Sequence, residues 1–234
     1  MNGLTEAFGQ AMVLLTGFDA RVARIVLLSV EVSGTAVLVG ALLGLPLGAG
    51  LAVSRFAGRQ AMVVLLNALM GLPSVVVGVV VYLFLSRSGP FGHYGLLYSP
   101  GAMVVAQIVL VVPLMAAIAR QVVEDAWQPY AEEMRLLGFG WRQSVAVMLY
   151  DCRHSLLLAG LAGLARAITE VGAVMIVGGN IDGATRVMTT AIALETGKGD
   201  LPLAIALGAV LIGVVLTLNA LAYLLRAWAM RRFG

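Results

Sequence analysis

The sequence predicts an all-α membrane protein of five transmembrane helices, with an interfacial helix before them and a helix in one long cytoplasmic loop. Two observations predict it. Hydrophobic residues fill 61% of the 234 positions and charged residues only 12%, against about 45–50% and about 25% in a typical soluble domain. The apolar positions also fall into long uncharged runs, and about 20 residues at 1.5 Å each cross the roughly 30 Å of bilayer hydrocarbon. A mean hydropathy of +0.99 agrees. This composition excludes a soluble enzyme with a polar shell and a disordered chain. A net charge of only +3, with arginines dispersed between apolar runs, leaves no basic stripe for nucleic acid. Cys152 is the only cysteine and cannot form an internal disulfide.

Taken in order, residues 1–20 place Leu4, Phe8, Ala11, Leu15 and Phe18 at helical spacing opposite Thr5, Glu6 and Gln10, which suits a helix lying in the membrane interface. A cleaved signal peptide is the alternative, but a basic start and a small-residue cleavage site are missing. The first span, Val32–Ser54, extends back past Glu31 to Ile25. Ala61–Leu85 and Leu201–Leu225 carry no charge, Gly101–Ala119 carries Gln107 and Pro113, and Ser155–Gly179 is interrupted by Arg166 and Glu170. Residues 25–228 thus form a five-span core, and residues 1–234 are expected to be one transmembrane domain.

Five spans put the termini on opposite sides. Nine arginines fall on the side of the C-terminus and of the loop 120–154, and five basic residues on the other, with Arg166 inside a span. That bias expects the C-terminus in the cytoplasm and the N-terminus outside, in the inner membrane. Few residues follow the fifth span, and no appended regulatory domain is expected.

The loop 120–154 is too polar for a connector. Pro129 suits the first turn of a short helix, Glu132 and Glu133 lie near its positive end, Arg135 follows, and Gly138 occupies a C-cap position. By itself this reads equally as a solvated linker helix. Glu132-Glu133-Met134, then Gly138, then Met148-Leu149-Tyr150, however, resembles the Glu-Ala-Ala loop of ABC importer permeases. The spacings of six and ten residues are kept, whereas Glu133 and Met134 replace the two alanines and Asp151 the final proline.

A second resemblance is sharper. Arg166-Ala-Ile-Thr169-Glu170-Val-Gly172-Ala173, Gly179-Asn180-Ile181, Thr185-Arg186 and Thr190-Ala191-Ile192 are similar to the molybdate and tungstate branch of those permeases. Gly71-Leu72-Pro73-Ser74 and Gly89-Pro90-Phe91-Gly92 fit the same branch, and the run Val174–Leu194 looks most like its tungstate members. The resemblance implies a type I importer permease that moves tungstate or molybdate, with sulfate or phosphate as the alternative oxyanion. It implies a homodimer in the bilayer with two ATP-binding subunits and an extracytoplasmic solute-binding protein docked on residues 86–100 and 179–200. Coupling to the ATPase would pass through Glu132, Glu133, Arg135 and Gly138.

No enzymatic site of its own is expected. Gly197-Lys198 is followed by Gly199, and Ile192 occupies the earlier glycine position, so no phosphate loop exists. Asp151 and Asp200 fall on opposite faces of the bilayer and cannot form a catalytic dyad. His93 and His154 are separated in the same way, and one cysteine with two distant histidines makes no metal site. No cofactor is expected.

Two further candidates remain. Arg166 and Glu170, i and i+4 with Thr169 between them, would share a helix face inside a span, either as a structural ion pair or with Arg166 drawing an oxyanion along the path. Gly179, Asn180, Thr185, Arg186 and Thr190 read either as an outer gate, where glycines let amides approach an anion and Arg186 raises the local potential, or as an ordinary polar loop.

Overall fold

The computed structural model describes residues 9–13, 16–17 and 19–233, the last turns of the chain by backbone alone from Ala229 onward. Leu4, Phe8, Leu15 and Phe18, which carry the interfacial-helix reading, lie outside the described residues. Residues 9–13 are helical, with Ala11 buried. The described residues contain helices and no strand.

Helix α1 (Ala20–Val53) starts at Asp19, whose Oδ1 accepts the amides of Arg21 (2.7 Å) and Val22 (3.2 Å) as an N-cap. It begins earlier than the apolar run and passes through Pro46 unbroken. Helices α2 (Arg59–Met70) and α3 (Ser74–Leu85) replace the single predicted span Ala61–Leu85. The break is local chemistry: Pro73 supplies no amide and drives Leu72 out of the helical region. A wound turn with a short 3₁₀ segment at Gly92–Tyr94 leads to α4.

Helix α4 (Pro100–Leu136) runs for 37 residues, with Pro113 and Pro129 inside it. The separate short helix expected from Pro129 is therefore its last two turns. A proline within a helix removes one hydrogen bond without forbidding continuation. Here Ala119, Val123 and Met134 keep one helical face buried on both sides of Pro129. After it come α5 (Trp141–Asp151) and α6 (Arg153–Ile168), bent by 77°.

The predicted span Ser155–Gly179 is also interrupted. Helix α6 ends at Ile168, and α7 (Gly172–Gly178) begins after Thr169-Glu170-Val171. Residues 179–200, expected to be a loop, contain α8 (Met188–Lys198), before α9 (Leu201–Phe233) closes the chain. Helices α1, α4 and α9 are each long and apolar enough to cross a membrane. The total reaches five if the bent pairs α2–α3 and α5–α6 each count as one span.

The chain divides into two compact units, each assembled from three stretches. The first takes the chain up to Thr35, Pro73–Gln107 and Ile168–Leu218. Its core joins Val22, Ile25, Ile168, Met188, Ala191, Leu203 and Leu207. Gly78 brings α3 against α7: a Cβ there would sit 2.8 Å from the Ala173 Cα.

The second unit holds Ala36–Leu72, Ile108–Ala167 and the chain from Asn219. Gly40, Gly44 and Gly48 face the α4 backbone, where a Cβ on Gly44 would lie 2.9 Å from the Val112 carbonyl and one on Gly48 would fall on the Ala116 carbonyl. Such four-residue spacing of small side chains lets helices touch in an apolar solvent, where lipid is as greasy as leucine. Around this contact Ala49, Ala52, Ala119, Val123, Met148, Cys152 and Leu156 form the core.

Candidate functional site

In the second unit, the family motif occupies the end of α4 and the turn after it. Glu132, Glu133 and Arg135 are exposed, while Met134 between them is buried. Gly138 stands at φ +72°, with its amide on the Arg135 carbonyl (3.1 Å) and the Phe139 amide on the Met134 carbonyl (3.0 Å). This crossed pair of bonds is the left-handed glycine stop anticipated at that position. Gly140 follows, its amide donating to Gln143 Oε1 (2.9 Å), and Trp141 Nε1 donates to Ser54 Oγ (2.7 Å).

Two turns earlier, Glu124 accepts from both Arg59 Nη2 (2.8 Å) and Arg120 Nη1, and Arg59 Nε also donates to the Leu51 carbonyl (2.8 Å). These bonds brace the α1–α2 turn against α4. What the region leaves outside is apolar: Leu136 is 89% exposed, Leu137 62% and Trp141 55%. The capped helix end thus presents unburied leucines flanked by exposed carboxylates.

Helix α6 ends at Ile168, between Arg166 and Glu170. Arg166 is exposed in the last turn of α6, whereas Glu170 lies past the end of that helix, only 6% exposed. Glu170 Oε1 accepts the amides of Val171 (3.1 Å) and Gly172 (3.2 Å), satisfying the start of α7 with a carboxylate at its positive end. Its own carbonyl accepts Thr189 Oγ1 (2.7 Å).

The residues of the expected gate do come together in the first unit. Gly179 at φ +70° ends α7, and Asn180 follows at φ +52° with Nδ2 on the Thr190 carbonyl (3.1 Å). Thr185 Oγ1 donates to the Gly178 carbonyl (2.6 Å) and accepts the Ile181 amide (2.9 Å). The Ile181 carbonyl takes the amides of Ala184, Thr185 and Arg186, and Thr190 Oγ1 takes the Val187 amide (3.1 Å). The amides of Ile181, Ala184, Thr185, Arg186 and Val187 are thus engaged within this segment itself.

Arg186 differs as well. It is buried, 3.2 Å from Asp182 and 3.7 Å from Glu195. Glu195 is the residue the sequence reading missed. Its side chain is 3% exposed and its Oε1 also lies 3.5 Å from Arg21 and 3.4 Å from Lys198, so one buried carboxylate serves three cations. The signal was present in the i, i+3 spacing of Glu195 and Lys198 and the i, i+4 spacing of Asp182 and Arg186, but it becomes meaningful only once 188–198 is a helix. The Met188 amide, held by Ser29 Oγ (2.8 Å), fixes that helix to α1.

Residues 86–100 carry the remaining polar geometry of this unit. The Tyr98 amide donates to the Val177 carbonyl (2.9 Å), and its ring lies 6.4 Å from that of Tyr82. A hydrogen bond with the Tyr82 hydroxyl, more than charge or burial, raises the Tyr98 phenol above its usual value.

No protein-family model matches the chain. Individual proteins do. The tungstate uptake system permease protein of Peptoclostridium acidaminophilum is 42% identical over 226 residues, covering 97% of this chain and 99% of its own length. A probable anion ABC transporter permease of Haloferax volcanii is 39% identical over 198 residues, 82% of this chain and 85% of that one. The tungstate uptake permease of Campylobacter jejuni is 34% identical over 157 residues, 67% and 66% of the two chains. With identity of that order from end to end, a multi-pass helical architecture and the motif spacing on α4, the chain belongs to the type I ABC importer permeases.

Proposed function

We propose that this chain is the membrane-spanning subunit through which a tungstate importer passes its oxyanion into the cytoplasm. The observation that carries the substrate is the 42% identity to a tungstate uptake permease over essentially the whole of both chains. In this reading two copies form the path, two ATP-binding subunits supply the energy, and an extracytoplasmic binding protein delivers the anion. The C-terminus and the α4 end face the cytoplasm, as the arginine bias supports.

Energy must come from the partner. Gly197-Lys198-Gly199 lies at the C-terminal end of α8, with Gly199 at φ +83°, whereas a phosphate loop must open a helix so that its free amides face the phosphates. The exposed Leu136, Leu137 and Trp141, framed by Glu132, Glu133 and Arg135, form the surface that receives the ATPase. ATP-driven approach of the two ATPases would then move the α4 ends and switch the path from outward-open to inward-open. The 179–190 loop frames its outer mouth.

The test is uptake by the complex reconstituted in liposomes with its binding protein. ATP-dependent accumulation of tungstate, outcompeting a hundredfold excess of sulfate, is expected. Accumulation that persists without ATP would make the protein a channel and overturn the reading. Equal competition by sulfate would reassign the substrate and leave the transport class standing.

A further inference from the structure

We propose that a pit in the first unit, walled by Arg21, Arg24 and Arg186, is a binding site for a tetrahedral oxyanion on the permease itself. The inference rests on the importer reading for its substrate class, while the pit rests on geometry alone. It has a volume of about 460 Å³ and is lined by the first turns of α1, from Arg21 to Glu31, and by Asp182–Ala184 with Arg186. A water's share of liquid is about 30 Å³, so the pit admits an oxyanion with part of its hydration shell.

The cluster beside the pit is short of acceptors. Arg21, Arg186 and Lys198 all converge on the single Glu195 Oε1, and Asp182 takes only Arg186. The Nε–H groups of Arg21 and Arg186 are buried and have no acceptor among the described residues. Buried donors are nearly always satisfied, so the described residues leave this cluster short of acceptors. Arg24, exposed at the rim, reaches only its own helix at the Ala20 carbonyl (3.3 Å). A small multivalent anion in the pit would offer several acceptor oxygens and negative charge to the guanidinium groups of Arg21, Arg24 and Arg186 that wall it.

Glu31 sets the depth. It lies seven residues beyond Arg24 on the same side of α1, about 10 Å further along the helix. A carboxylate there repels an anion moving inward along α1, so the pit holds a ligand at its arginine end. A phospholipid phosphate offers the same chemistry as free tungstate, and the experiment separates the two.

The permease–ATPase complex, without binding protein or nucleotide, is placed in nanodiscs of phosphatidylcholine and titrated calorimetrically with tungstate, molybdate, sulfate and phosphate. At least one of these anions is expected to bind. Arg24→Gln, which removes a rim residue and leaves the Glu195 cluster in place, should weaken that binding at least about tenfold, the loss of one charge-assisted contact. Glu31→Gln should strengthen it. In a second arm, nanodiscs containing phosphatidylglycerol are examined by native mass spectrometry. Retention of that lipid by the wild type, its loss in Arg24→Gln and its displacement of tungstate would assign the site to lipid phosphate.

Absence of Arg24-dependent binding of any anion and of any lipid overturns the site. That result is separable from failure of the transport reading, because uptake is driven through the binding protein and ATP, which this titration omits. Binding of sulfate in place of tungstate would correct the substrate while keeping the pit.

Discussion

Residues 179–198 and residues 132–141 invert what their compositions suggest. The first stretch is rich in threonine and charge, yet Thr185 and Thr190 are 1% and 0% exposed and the one glutamate is buried among three cations. The second carries Leu136, Leu137, Phe139 and Trp141, yet all four stand in the open. The polar stretch satisfies itself through side-chain bonds to its own backbone, so it forms a closed, over-determined corner of the first unit. The apolar stretch satisfies its backbone through the glycine stop at Gly138 and leaves its side chains to be covered from outside. Polarity therefore marks a buried, self-satisfied element here, and hydrophobicity an exposed one.

The largest effect that would break this contrast is at Glu195. Glu195→Ala leaves buried Arg186 with only Asp182 and frees Arg21 and Lys198. Removing one partner of a buried pair costs about 3–5 kcal/mol, and the half-exposed Arg21 and Lys198 hold the expected loss near the lower end. A melt in detergent should drop sharply, with Glu195→Gln in between. Unchanged melting in both variants would show that the corner is held by its threonine bonds alone.

Next comes Glu170. We propose that it acts mainly as the start of α7, and Glu170→Ala should cost about 1 kcal/mol and lower the yield of assembled complex, because two partly buried amides lose their acceptor. Glu170→Gln keeps an acceptor oxygen and should assemble. Combining Glu170→Ala with Arg166→Ala should recover part of the loss if the two charges are also balanced against each other. Full assembly of Glu170→Ala would remove the capping role. Loss of uptake in Arg166→Ala alone, with assembly intact, would favour the anion-drawing role for that residue.

Gly138→Val should cost about 1–2 kcal/mol, since φ +72° is disfavoured for any residue with a branched Cβ. The same variant should lower transport-coupled ATPase activity, by tilting the exposed turn that follows. Full coupling in reconstituted complexes would remove the α4 end from the transmission path.

The smallest stability effect sharpens the comparison most. Leu136→Glu with Leu137→Glu should shift the melt by less than about 0.5 kcal/mol, as for other exposed positions, while reducing ATPase binding at least tenfold. Retained binding in pull-down would mean that another surface receives the partner.

Sequence reasoning succeeded where one local signal decides the outcome. Composition placed the chain in the membrane, the long uncharged runs located α1, α4 and α9, and a glycine after the last turn of α4 foretold a left-handed stop. It failed where packing decides between two locally equal readings. Pro129 fits the first turn of a new helix as well as the interior of an old one, and the buried face through Val123 and Met134 selects the second. Thr169 and Val171 sit in an apolar run that continues past them, so nothing in the pattern betrays the helix end at Ile168. Helix α8 was hidden because threonines at its start look like a loop until the Glu170 and Val187 carbonyls take their hydroxyls.

The unbroken course of α4 has a mechanical consequence. Thirty-seven residues at 1.5 Å each make a helix about 55 Å long, against about 30 Å of hydrocarbon. About 25 Å of that length therefore remains outside the greasy layer as a lever arm. A tilt of about 5° about one end sweeps the other by about 5 Å, roughly the pitch of one helical turn. Pro113 and Pro129 each take one hydrogen bond out of the ladder, yet the helix continues through both, so a push at its tip would travel along one continuous helix.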